Sequence, residues 1–283
     1  MAGSGTFMGH ALPASFFLGF GVFFLVLTYK RCRDLAVSTG GGTTGTTSTS
    51  RSTNHVATFC DRHVPERSIT LLRRVGILLL IVTTLGGIYE AMGAYYDPNP
   101  NIGIFHQLAH EALYLCFFFV GAVALLESRG LLMADSSRIA LSVAFGLQYV
   151  LWNEHGLMKT DMSDRRVHLL QAQVNLVAAA SFGYSVYNPR SLLAYLAGWA
   201  VMVLNALWML TAGLTVCCVD LMAHTVGAAL ALETLLVAAV VVAAAACCPY
   251  PGGGHGGGEG LHVSAVDDDE KRSYEQVSLT DNA

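Results

Sequence analysis

"FHQLAHEALYLCFFF", residues 105–119, decides the fold. Together with "VGAVALLE" (120–127) it makes an apolar, phenylalanine-rich run about as long as a helix needs to cross a bilayer. Yet its first two turns carry His106, His110 and Glu111. Ionisable groups are costly in hydrocarbon and mark a pathway, a pair or a ligand site. The stretch therefore predicts a membrane helix whose polar beginning serves a purpose other than anchoring.

The rest of the chain agrees with that reading. Its 283 residues are 53% hydrophobic and 13% charged, with a mean hydropathy of +0.50. A soluble domain seldom combines those values, and the apolar residues come in long blocks. Seven such blocks are expected to span: 11–29, 75–93, 104–127, 136–154, 168–187, 192–213 and 223–247. The fourth is the weakest, interrupted by Gln148, Trp152 and Asn153. The expected architecture is an all-α polytopic bundle of seven transmembrane helices. The first block reads as a retained span, because "YKRCR" (29–33) follows it where a cleavage site of small residues would stand.

Basic residues orient the bundle. With the N-terminus outside or lumenal and the C-terminus cytosolic, all of the 16 Lys and Arg except Lys159, Arg165 and Arg166 fall on the inner side. On this plan residues 1–29 hold the N-terminus and helix 1, and 30–74 form a cytosolic loop. Residues 75–247 complete the bundle, and 248–283 form a cytosolic tail. The loop contains "STGGGTTGTTSTSRSTN" (38–54) and the tail opens with "PYPGGGHGGGEG" (249–260); neither composition can bury a core, so both are expected to be disordered. Seven cysteines without a CxxC pair suggest neither a disulfide framework nor a zinc knuckle. Walker, GxSxG and dinucleotide-binding patterns are missing, and nothing points to nucleic acid.

This topology sorts the ten histidines. His55, His63, His255 and His262 fall in the loop and tail, and the other six reach the outer face. His10 precedes helix 1, His106 and His110 open helix 3, His155 closes helix 4, His168 opens helix 5 and His224 opens helix 7. Glu90, Glu111, Glu154, Asp161 and Asp220 join them. His106 and His110, four apart, share one helix face, the spacing of two ligands on one metal. His155, His168 and His224 would complete such a shell around zinc, copper or iron. His10 and the five acids would stand behind it, orienting imidazole N–H groups. Two further readings stand beside the metal: a proton-responsive cluster, since histidine titrates near neutral pH, and simple interhelical packing. Gln107, Gln148, Asn153, Gln171, Gln173, Asn175 and Asn205 read as polar glue between helices. Haem fits less well, because it needs an axial pair across a deep apolar slot.

Smaller signals concern traffic. Cys32, Cys247 and Cys248 lie at the inner boundary, where reversible palmitoylation occurs. "YEQV", Tyr274 to Val277, has the form of a sorting signal read by adaptors on a flexible tail.

"GHALP" (9–13), "HEALYLCFFFVGAVALLE" (110–127), "NEHG" (153–156), His168 and "DLMAH" (220–224), in that order, resemble the transmembrane protein 45 family. These are multi-pass proteins of animals and plants without an established biochemistry. The resemblance covers residues 10–247 and fails in the loop and the tail. It implies seven helices, a place in endomembranes or at the cell surface, and motif histidines at His10, His110, His155, His168 and His224. Two functional classes follow: a non-enzymatic membrane protein that binds metal or senses pH, and a metal-dependent membrane hydrolase or redox enzyme using the same layer. Seven-helix zinc hydrolases of the adiponectin-receptor type also gather histidines at one face, but place a His-x-x-x-His pair in the last helix. The non-enzymatic class is the reading preferred from sequence.

Overall fold

The computed structural model describes residues 7–40, 69–96, 104–188, 192–217 and 223–246. These form seven helices, with no strand among the described residues: α1 (Phe7–Gly40), α2 (Ile69–Tyr96), α3 (Ile104–Ser128), α4 (Ser136–Leu157), α5 (Met162–Tyr187), α6 (Leu192–Cys217) and α7 (Ala223–Ala246). The protein is an all-helical bundle. A helix closes every backbone hydrogen bond within itself, so long apolar sequences adopt it wherever water is absent. Threonines in these runs follow the same logic: Thr28, Thr83, Thr215 and Thr234 each donate a hydroxyl to the carbonyl four residues earlier.

Five helices are long and apolar enough to cross a membrane, over His10–Lys30, Ile69–Met92, Glu111–Ser128, Ala194–Thr215 and Thr225–Ala243. α4 and α5 fall short of the seven expected spans by composition. Their polar residues turn inward, however: Gln148, Gln171 and Asn175 are buried. The two helices pack closely on each other, tied where Ser142 Oγ donates to the carbonyl of Ala179 at 2.8 Å. One boundary is a correction. α1 continues to Gly40 and α2 starts at Ile69, so the segment 30–74 is helical at both ends. "KRCRDLAV" (30–37) offers mostly good helix formers, and the helix outruns the apolar segment. Residues 41–68 and the tail from 247 lie outside the described residues.

Neighbours in sequence pair as antiparallel helices, α2 with α3 and α4 with α5, while α1 lies against α6. An aromatic ladder joins five of them. Phe17 of α1 meets Phe117 of α3 at 4.7 Å, and Phe117 meets Phe145 of α4 at 5.4 Å. Phe145 stacks on Phe182 of α5, which abuts Trp199 of α6, and Trp199 returns to Phe24 of α1 at 4.1 Å. Small residues bring α2 and α3 together: a Cβ on Gly121 would lie 2.9 Å from Leu79 and 3.0 Å from the carbonyl of Gly76. α6 is central, with 67% of its apolar window buried, against 17% for α7 at the edge.

Candidate functional site

The site grows from the start of α5. Asp161 caps that helix, its carboxylate accepting the N–H of Asp164 at 2.8 Å. Once the helix is set, Asp164 and His168, four apart, share a face. His168 Nδ1 lies 2.7 Å from the Asp164 carbonyl oxygen and 2.9 Å from Oδ1 of the Asp164 carboxylate. A carbonyl oxygen only accepts, so Nδ1 carries the proton and Nε2 is the position left to gain one. Lys159 places its ammonium 3.2 Å from the same carboxylate. Partial burial raises the Asp164 carboxyl pKa, but the hydrogen bond and charge of His168 and the charge of Lys159 outweigh it and hold it down at about 2.

The end of α4 comes up against this pair because Gly156 leaves room. A Cβ there would stand 3.1 Å from Leu169 and 3.2 Å from the Cβ of His168. The approach puts the His155 ring 4.8 Å from His168, and Trp152, one turn earlier, 5.4 Å from the same ring. α1 closes the group: His10 lies 6.0 Å from His168 and 6.3 Å from Trp152. Three imidazoles and an indole from three helices thus form one buried box.

The other residues expected here separate into groups. Glu154 is exposed, and Asp161 serves as the cap. Glu111 lines an open groove between α2 and α3 with Thr83, Gly87 and Tyr114, and Glu90 lies near the same tyrosine. His106 and His110 occupy the first two turns of α3, and His224 the first turn of α7; their side chains, like that of Cys32, lie outside the described residues. Asp220, Cys247, Cys248, Tyr274 and Val277 also lie outside them. Among the described residues, no group of three or more His, Cys, Asp or Glu is placed to hold a metal ion.

Sequence reasoning missed Trp152, Asp164 and Gly156 as members of the site. The spacing of Asp164 and His168 was the available signal, hidden by the equally plausible Asp161. It also passed over Glu233, the one carboxylate in the apolar window of α7, which accepts a hydrogen bond from Thr211 of α6.

No protein-family model matches the chain, and no curated protein matches it either.

Proposed function

We propose that this multi-pass membrane protein is a non-enzymatic pH-responsive element, with the box of His10, Trp152, His155 and His168 as its sensor. The observation that carries the reading is the burial of three imidazoles in ring contact, His10 and His155 against His168, with His168 held beside the Asp164 carboxylate. Histidine gains its proton between about pH 8 and 5, within the range a cell compartment reaches. Protons on His10 and His155 as well as His168 set positive rings 6.0 and 4.8 Å from His168 in a buried place, and repulsion then pushes the ends of α1, α4 and α5 apart. Acid would thereby loosen one end of the bundle and leave the other closed.

The resemblance to the transmembrane protein 45 family supports the choice of His10, His155 and His168. The distribution of basic residues supports an outer or lumenal box, in an endomembrane or at the cell surface. Tyr274 and Val277, with Cys32, Cys247 and Cys248, fit a protein that moves between those membranes. Zinc, copper or iron at His106 and His110 is the rival ligand for the same end.

The test is melting temperature in mild detergent from pH 7.5 to 5, with and without a strong chelator. Wild type should lose several degrees in acid, His155→Gln should lose less, and chelator should change neither. A flat wild-type profile overturns the proposal. A melting temperature that falls with chelator at pH 7.5 assigns the layer to a metal instead.

A further inference from the structure

At the end of the bundle away from the histidine box, an apolar slot opens between α1 and α2. Those two helices barely touch, because α1 packs on α6 and α2 on α3. The slot encloses about 500 Å³ of empty space, its open mouth included. Phe16, Phe20 and Phe24 form one wall, Leu72 and Leu79 the opposite one, and Trp199 of α6 the floor at the level of Phe24. From Phe24 to Phe16 the helix rises about 12 Å, close to the roughly 15 Å that one leaflet contributes to the hydrocarbon core. Length and lining suit a single hydrocarbon chain.

The shallow end of this slot is polar. Arg138 lines it, buried, with its guanidinium 3.1 Å from Asp135 and 5.2 Å over the Tyr195 ring. Trp199 is buried to 3% exposure, and its indole N–H has no hydrogen-bond partner among the described residues. A buried N–H without an acceptor is unfavourable, and an ester or phosphate oxygen in the slot would satisfy it. Lys30 at the end of α1 and Arg73 and Arg74 at the start of α2 are exposed on the helices that flank the mouth. Asp135 balances Arg138, so the surplus positive charge belongs to these three.

We propose that the slot seats one acyl chain of an anionic phospholipid. Its glycerol ester reaches the Trp199 N–H, and its phosphate and headgroup lie against Arg138, Arg73, Arg74 and Lys30. The chain wedges α1 to α2 and completes the packing that neither helix makes alone. Zwitterionic lipids would enter the same space but lack the attraction of the rim, worth roughly a five-fold change in affinity per cation.

Trp199 supplies the test, because bromine on an acyl chain quenches an indole only on near contact. The full chain in detergent is titrated with phosphatidylglycerol brominated along its chains, and separately with brominated phosphatidylcholine. Subtracting the signal of Trp199→Phe isolates Trp199 from Trp152 and Trp208, which lie toward the other end. The expected result is quenching of Trp199 at a several-fold lower concentration of the anionic lipid, a preference reduced in Arg73→Gln/Arg74→Gln. Equal quenching by the two lipids overturns the headgroup assignment and with it the proposal. Absence of Trp199 quenching by either lipid overturns the slot itself. Val75→Phe, which narrows the mouth without adding an indole, should weaken the quenching of Trp199; unchanged quenching in that variant would also contradict the proposal.

Discussion

The two ends of this bundle handle polar groups in opposite ways. At one end Glu127 accepts the N–H groups of Asp135 and Ser137, both at 2.7 Å, and so caps α4 from the preceding helix. That clamp holds Asp135 at φ 69°, a left-handed conformation rarely taken by a residue other than glycine. Arg138 then pairs with Asp135 and reaches toward the carbonyl of Ser185 at 3.5 Å. Its groups are permanently charged or capping, and their job is to close a helical hairpin. At the other end three histidines are buried together, side chains of a type whose charge depends on pH, and one of them, His168, pairs with Asp164, which Lys159 also contacts. The contrast separates a fixed electrostatic joint from one whose charge can change.

The largest effect expected from breaking this contrast is at the fixed joint. Arg138→Ala takes a buried guanidinium away from the Asp135 carboxylate and the Ser185 carbonyl and should cost about 3–5 kcal/mol, the range for removing one member of a buried pair. A guanidinium keeps its charge at every working pH, so the loss of melting temperature should be the same at pH 5 and pH 8. A cost that varies over that interval would erase the distinction between the ends.

Asp164→Asn is next. The Asp164 carboxyl is held down at about 2, below its ordinary value, so it contributes stability that is present above about pH 4 and lost as pH falls toward 2. With its side chain 22% exposed, the contribution is about 1–2 kcal/mol after discounting for solvent. Wild type and Asp164→Asn should therefore converge in melting temperature near pH 2 and differ at pH 6. Constant separation across that range would show that the carboxylate acts through packing alone.

Asp161→Ala removes the cap that starts α5 and should cost about 1 kcal/mol. Because that cap positions the Asp164–His168 pair, its loss should also shallow the acid dependence, measurable as a flatter melting profile between pH 7.5 and 5. Glu154→Gln is the smallest: the residue is exposed and should change stability by less than about 0.5 kcal/mol at any pH. A pH-dependent loss in that variant would bring Glu154 back beside the histidines.

The helices were legible because membrane spans write themselves as unbroken apolar runs, and α2, α3, α6 and α7 begin and end near where those runs do. α4 and α5 were harder, since their polar residues face other helices and lower the average without preventing burial. Helix alternation puts the start of α5 beside the end of α4, and so His168 near His155, but the ring contacts of His10, His155 and His168 are seen only in the structure. Identity of the bonded carboxylate did not follow. Asp161 and Asp164 both stand at a helix start, and only the hydrogen bond to the Asp164 N–H shows which one caps. Gly156 carried a second hidden instruction, because close approach depends on what the neighbouring helix presents, here Leu169 and His168.

The central claim is that protons bind at the histidine box, and Trp152 reports on it directly. A protonated imidazole quenches a nearby indole, and three imidazoles lie within 6.3 Å of this one. The measurement is the emission of wild type minus that of Trp152→Phe, titrated from pH 8 to pH 5 with chelator present. The account predicts a fall in that difference signal across the interval, diminished in His168→Gln, with Trp199 and Trp208 contributing nothing to it. A difference signal that stays level from pH 8 to pH 5 would contradict the account.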